Sequence, residues 1–277
     1  MHTLRVVTWN AEGMFVAGPQ PRRASPHDAP TTLKKLDADV IVIPEFGETS
    51  RVDQAILTAL HSLGYQTIVY GYQDGRLGEY GAALLSRLPV RSHVLHHFAN
   101  TKRRYIEAEI ELPGGKDILR LFGLHLDDRT ERLRLEQIEH VIMQINKVHV
   151  GETVVMGDFN AMSKRSLSAK LLGARSAGTI AARLPHAQLR SMSTRVNQMA
   201  AGTTIARLLD ATMLHDLDPG HHLTISAKQE GLAWAPTLKI AKIDWLFGTK
   251  HIETLDYKVL PDVGSDHRPV LATLRIT

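Results

Sequence analysis

Apolar and polar positions divide this chain into many strand-length pieces with few helices between them. The clearest is Tyr105 to Leu112, where Ile106, Ala108, Ile110 and Leu112 alternate with Glu107, Glu109 and Glu111, so that one face meets a core and the other meets water. Leu4 to Ala11, Asp39 to Pro44, Tyr65 to Tyr72, Gly81 to Leu85, Arg91 to Phe98, Ile118 to Leu124, Thr153 to Met156, Leu238 to Phe247, Ile252 to Leu260 and Val270 to Ile276 read as further strands. Helical signals are fewer. Thr31 or Thr32 caps a short helix ending near Asp37, and Ser50 with Asp53 has capping-box spacing ahead of the stripe Val52, Ile56, Ala59, Leu60 and Leu63, which Gly64 ends. A longer helix runs from about Thr130 to Val148 with Leu133, Ile138, Ile142 and Ile145 inward, and Met162 to Leu217 reads as helical and connective. Many strands with few helices between them predict sheet packed on sheet with helices outside, as one large domain or two small ones and without internal repeats.

The strands share a second feature, which is that they end in polar residues. Glu152 to Asn160 (ETVVMGDFN) stops its apolar run at Gly157 and then presents Asp158 and Asn160, and Leu4 to Ala11 leads into Asn10. Glu45 follows the apolar run Asp39 to Pro44 directly, where a carboxylate is costly unless paired or bound to a cation. His125 closes another strand, Asp244 interrupts an apolar run, and Asp266 and His267 occupy the turn before the last strand. Together these residues supply oxygen ligands for a hard cation, two imidazoles for proton transfer, and carboxylates to orient them. Carboxylate and amide oxygens favour Mg²⁺, with Mn²⁺ as a substitute. Zinc would want more nitrogen ligands, and the chain has no HExxH pattern.

Composition narrows the setting. The 277 residues are 43% hydrophobic and 22% charged, ordinary for a globular protein, and the absence of cysteine excludes disulfides, thiolate zinc sites and a cysteine nucleophile. No apolar run approaches the roughly 18 residues of a membrane span, and MHTLRVVTWN lacks a signal-peptide core, so a cytoplasmic protein is expected. The net charge of +4 is unevenly distributed. Between Ser163 and Arg207 lie eight basic residues (Lys164, Arg165, Lys170, Arg175, Arg183, Arg190, Arg195 and Arg207) and no acid, which leaves the rest of the chain at −4. A basic helical insert over about 163–217 is the footprint expected where a polyanion is met. Arg183, Arg190 and Arg195 are therefore candidates for substrate phosphate, as is Arg103 or Arg104 just before a strand, with Arg104 the first choice.

Thr8-Trp9-Asn10, Glu45 after its apolar strand, Gly157-Asp158-Phe159-Asn160, Lys242-Ile243-Asp244-Trp245-Leu246-Phe247 and Ser265-Asp266-His267 stand in the order found in the endonuclease/exonuclease/phosphatase superfamily, which the chain resembles over nearly its whole length. The resemblance is closest to the tyrosyl-DNA phosphodiesterase branch, although Pro44 stands where members commonly have Gln. It implies a single domain over residues 1–277 with a deoxyribonuclease I-like, four-layered α/β sandwich of two packed mixed sheets flanked by helices, and metal-dependent phosphoester hydrolysis. Carried over residue by residue, Glu45 would bind the metal with Asn10 beside it, Asp266 would assist, and Glu12 would support them from behind. Asp158 would orient or deprotonate water, and Asn160 would hold a phosphate oxygen. His267, polarised by Asp244, would contact the scissile phosphate, while His125 would help protonate the leaving group. Nucleic acid is the expected substrate and a phosphoinositide or other phospholipid headgroup the alternative. Two readings compete from outside this class: a serine hydrolase using Ser176, Asp244 and His267, and a non-catalytic polyanion-binding module.

Overall fold

The computed structural model describes residues 1–13, 15, 28–47, 54–70, 81–99, 101, 103–147, 151–163, 199–226, 239–261 and 263–277. Two six-stranded sheets dominate. The first comprises β1 (His2–Thr8), β2 (Val40–Gly47), β3 (Gln66–Tyr70), β4 (Gly81–Ser86), β13 (Ile252–Val259) and β14 (Val270–Ile276), in the order β13-β14-β1-β2-β4-β3. The second comprises β5 (Val90–His97), β6 (Arg104–Glu111), β7 (Ile118–His125), β8 (Glu152–Asp158), β9 (Leu214–Asp216) and β12 (Asp244–Thr249), in the order β5-β6-β7-β8-β12-β9. β10 (Ile225–Ser226) and β11 (Lys239–Ala241) pair separately. Each large sheet is mixed, because β1 runs parallel to β2 and β7 parallel to β8 while their other pairings are antiparallel.

The alternation in β6 explains the central layer, since Ile106, Ala108 and Ile110 face Val6, Val42 and Leu84 across an apolar seam closed by Leu121, Val154, Met156 and Leu246. The outer face of the first sheet is covered by α1 (Asp28–Leu36) and α2 (Gln54–Ser62), through Leu33, Leu36, Ile56 and Leu60. The outer face of the second is covered by α3 (Glu131–Lys147) and α4 (Thr203–Ala211), through Ile138, Ile142, Ile205 and Leu208. The result is helices, sheet, sheet, helices, the four-layered α/β sandwich that the resemblance implies. No helix among the described residues is long and apolar enough to cross a membrane.

Local differences from the sequence expectations have physical reasons. α1 begins at Asp28, not at Thr31 or Thr32, because Pro30 suits a first turn, where its missing N–H is no loss. The expected single strand over 238–247 is two. Between them the Lys242 ammonium is buried against Asp216 and Asp218 at 2.9 and 2.8 Å, so Asp244 opens β12 at the sheet's end and does not interrupt a core strand. β2 continues past Pro44 through a register shift between Ile43 and Gly47, an irregularity that tolerates a proline without a donor. α3 buries Ile138, Ile142 and Ile145 as expected and also Glu131, Arg134 and Gln137, while Leu133 is only partly covered. Ser50, Asp53 and Val52 lie outside the described residues, as do residues 164–198 of the basic segment.

Candidate active site

The parallel pairings bring the C-terminal ends of β1, β2, β7 and β8 to one edge of the sandwich, and the antiparallel pairings bring the start of β12 and the turn before β14 to the same edge. Asp158 lies opposite both His125 and Asp244 in the sheet register. Gly157 makes this approach feasible. Its φ is 147°, and a Cβ there would lie 2.0 Å from the Leu124 carbonyl oxygen. Three site residues, Glu12, Glu45 and Asn160, hold positive φ without being glycine, a strain that persists only where the surroundings enforce it.

Side-chain geometry divides the cleft into two linked groups. In one, the Thr224 hydroxyl donates to Asp244 Oδ2 at 2.6 Å, and Asp244 accepts from His267 Nδ1 at 2.9 Å. That leaves His267 Nε2 3.8 Å from Asp158 Oδ2, which also lies 3.8 Å from His125 Nε2. Asp158 Oδ1 accepts the Asn160 backbone N–H at 2.8 Å, and the Asn160 side-chain amide donates to the Leu126 carbonyl at 3.1 Å. In the other group, Asn10 Nδ2 donates to Glu45 Oε1 at 3.2 Å and to Asp158 Oδ2 at 3.0 Å, and its oxygen accepts the Glu12 N–H at 3.1 Å. Glu12 Oε2 accepts from Asp266 N at 3.4 Å, and Ser265 Oγ donates to the Asn10 carbonyl at 2.7 Å, tying the last turn to the end of β1.

Burial sets the protonation states. Removal from water raises the Asp158 pKa to about 7, against the lowering effects of His267 and of bonds from Asn10 and Asn160, and likewise raises Glu45. Burial also opposes the charge of His267, but the carboxylates of Asp244, Asp266 and Asp158 outweigh it and hold this imidazole well above its ordinary value. His125 goes the other way. Burial, with Arg103 and His267 nearby, keeps it well below that value and therefore neutral. The cleft thus pairs a cationic imidazole with a carboxyl group poised near neutrality, a combination suited to proton transfer.

The chain matches the sequence profile of the Endonuclease/Exonuclease/phosphatase family over residues 7–267. It belongs to that family. A comparison with curated protein sequences finds no match. Solved structures similar in fold include an endonuclease/exonuclease/phosphatase from Beutenbergia cavernae, at 19% identity and a TM-score of 0.69 over 100% of this chain and 72% of that one. An AP endonuclease from Archaeoglobus fulgidus shares 16% identity, with a TM-score of 0.66 over 97% and 98% of the two chains. D. rerio TDP2, solved with a single-strand DNA product, shares 16% with a TM-score of 0.61 over 99% of both. As a member of the endonuclease/exonuclease/phosphatase family the chain is a hydrolase of the phosphoesterase class, which removes both the serine-hydrolase and the non-catalytic readings. Ser176 lies outside the described residues.

The donor set suits a metal. Ligand atoms of Asp158, Asp244 and His267 lie within 4.8 Å of one another, but Asp244 and His267 are already bonded to each other and Asp244 to Thr224, which leaves the Glu45 and Asp266 side as the place for an ion. Asp266 Oδ2 is buried and has no hydrogen-bond partner among the described residues, a costly condition that a cation would relieve. Asn10, expected as a ligand beside Glu45, turns its N–H side to Glu45 and Asp158 and braces the two carboxylates. Arg104 opens β6 opposite His97, and it is Arg103 whose charge reaches both Glu45 and His125. Arg183, Arg190 and Arg195 lie outside the described residues, while Arg207 is engaged with Glu139 on the surface of α3. Thr224 had no motif to reveal it. It stands in a polar loop, and only the fold brings its hydroxyl to Asp244.

Proposed function

We propose that the chain is a Mg²⁺-dependent phosphodiesterase acting on nucleic acid. The observation that carries the reading is the placing of Asp158 Oδ2 between His267 Nε2 and His125 Nε2, on a brace from Asn10 that reaches Glu45. Asp158 orients the attacking water and takes its proton. His267, held as a cation by Asp244, faces a non-bridging oxygen of the scissile phosphate as charge accumulates there. Asn160 commits one amide N–H to Leu126 and has a second for another phosphate oxygen. The neutral His125 donates a hydrogen bond to the departing oxygen. Glu45 and Asp266 would hold the Mg²⁺, which when bound supplies neutralisation of phosphate charge. Arg103 and the basic segment with Arg183, Arg190 and Arg195 favour a polyanionic substrate, and no observation favours a phosphoinositide headgroup.

The test is cleavage of supercoiled plasmid and of a labelled single-stranded oligonucleotide with Mg²⁺, Mn²⁺ or EDTA, beside His267→Ala and a variant carrying glutamine at Arg183, Arg190 and Arg195. Metal-dependent cleavage lost in EDTA, and reduced at least ~10³-fold in a folded His267→Ala protein, is expected. The triple variant should show weaker binding and a shallower salt dependence. Undiminished turnover in His267→Ala would refute the residue assignment, and wild-type inactivity on both nucleic acids would remove the nuclease reading.

A further inference from the structure

Helix α3 carries a buried amide that the mechanism does not use. Gln137 is 3% exposed, and each end of its side chain grips a different segment. Its Oε1 accepts the backbone N–H of Asp127 at 2.7 Å, and its Nε2 donates to Thr101 Oγ1 at 3.2 Å. Thr101 Oγ1 in turn accepts the Arg103 backbone N–H at 3.3 Å. The Arg103 guanidinium crosses back to the other segment, bonding the Leu126 carbonyl through Nη1 and Asp128 Oδ1 through Nη2 at 2.7 Å. A closed circuit results, from Gln137 to Asp127, through Leu126 and Asp128 to Arg103, and through Thr101 back to Gln137.

The circuit adjoins the reacting groups. Leu126 donates its N–H to the Asp158 carbonyl at 2.9 Å and accepts from the Asn160 amide, and His125 immediately precedes it. A second clamp holds the same loop to the helix, since Arg134 Nη1 donates to the Asp127 carbonyl at 2.9 Å and Asp127 Oδ1 accepts the N–H groups of Arg129 and Thr130. Arg134 thus fixes the loop to α3, whereas Gln137 spans the loop and the turn after β5. A polar side chain with three rotatable bonds is an expensive choice for a buried helix face, and a satisfied core amide needs only nearby partners. Gln137 instead joins the two segments between which Arg103 is strung.

We propose that Gln137 is a positioning residue that sets the separation of the Thr101 turn from the 126–128 loop and thereby sets where the Arg103 guanidinium meets the substrate phosphate. The inference rests on the phosphodiesterase reading for its substrate, while the clamp itself is a property of the fold. Gln137→Met keeps the length and apolar stem and removes both bonds. Gln137→Glu keeps an acceptor for Asp127 N–H and accepts from the Thr101 hydroxyl in place of donating to it. Arg103→Lys breaks the circuit elsewhere, because one ammonium cannot reproduce the planar fork.

The experiment combines steady-state kinetics on the labelled oligonucleotide with hydrogen exchange of residues 101–103 and 126–130, each beside a thermal midpoint. In Gln137→Met, kcat/KM is expected to fall ~30-fold with little change in midpoint, and in Gln137→Glu to recover most of that loss. In the Arg103→Lys background Gln137→Met should cost almost nothing further, since both act on the same guanidinium. A Gln137→Met enzyme within twofold of wild type, or a loss that multiplies undiminished with that of Arg103→Lys, overturns the proposal. If wild type turns over no nucleic acid, the functional reading fails by itself and exchange decides the clamp: at least ~10-fold faster exchange in both segments upholds it, and unchanged exchange ends it.

Discussion

The two halves of the cleft are built to opposite standards of completion. The half around Asp244 and His267 is closed on itself. The Thr224 hydroxyl satisfies the carboxylate and the carboxylate satisfies the imidazole, which Asp244, Asp158 and, from the other half, Asp266 hold charged despite burial. The half around Glu45 and Asp266 is left open, with Glu45 raised by burial on a backbone at φ 51° and one Asp266 oxygen buried without a partner among the described residues. A buried hydrogen-bond network that is fully satisfied rigidifies a site, and one that is partly satisfied destabilises it. The contrast teaches which half satisfies its own hydrogen bonds and which half is arranged for a cation from solution.

The sharpest way to break this contrast is Glu45→Gln. Loss of a carboxylate from the open half should reduce metal-dependent turnover roughly 10³-fold, as expected when several kcal/mol of transition-state charge stabilisation is withdrawn. Stability should move in the opposite direction. Because burial raises the folded-state pKa of Glu45, its ionised form opposes folding at neutral pH, and stability from this residue declines as pH rises above the ordinary carboxylate range. Neutralising it should raise the metal-free melting temperature, on the order of 3 °C, and abolish any further rise on adding Mg²⁺. Thermal unfolding with EDTA and with Mg²⁺ reads both effects. A variant that is less stable without metal and still gains stability from it would show that the open half is not the cation site.

The two halves also differ in how far the sequence revealed them. Whereas His267 stood out only through the Ser265-Asp266-His267 motif in the turn before the last strand, Asn10, Glu45, Asp158 and Asp244 were legible because each interrupts or ends an apolar run, where a polar residue is costly and so informative. The sandwich was legible for the same reason, with β6 displaying its period of two openly. What could not be read is what depends on contacts between segments far apart in the chain. Thr224 sits 20 residues from the aspartate it holds, and Gln137 reaches Thr101 across 36. Choosing Arg103 over Arg104 needed the turn geometry, and the break before Asp244 needed the buried Lys242 with its two carboxylates. Hydrophobic periodicity records burial, and it carries no signal for a buried polar side chain whose partners come from elsewhere.

The closed half can be probed through pH. Asp158 must lose its proton to act as a base, so kcat/KM should rise with pH along a limb centred at or below about 7, a bound cation favouring the carboxylate. His267 must keep its proton, and with its folded pKa held well above the ordinary value the descending limb lies on the alkaline side. Asp244→Asn removes a carboxylate that supports that charge. The descending limb should move to lower pH and the maximum should fall by about 10²-fold, and the ascending limb should move to lower pH as well, because the Asp244 charge contributes to the raised pKa of Asp158. A pH–rate profile on both proteins checks this, and an unmoved descending limb would separate Asp244 from the protonation of His267.

The smallest change asks whether the closure of that half matters at all. Thr224→Val keeps the shape and removes one hydroxyl, leaving Asp244 Oδ2 without its 2.6 Å donor and the N–H groups of Ile243 and Asp244 without the Thr224 oxygen. A hydrogen bond to a charged group is worth roughly 1.5–3 kcal/mol, but the aspartate keeps its bond to His267, so only part of that should reach the rate. A loss of about tenfold in kcat is expected, with KM and the response to Mg²⁺ unchanged, and Thr224→Ser should restore most of it. If Thr224→Val instead raised the Mg²⁺ concentration needed for half-maximal rate, the hydroxyl would be acting on the cation side, and the separation of the cleft into a closed half and an open half would not stand.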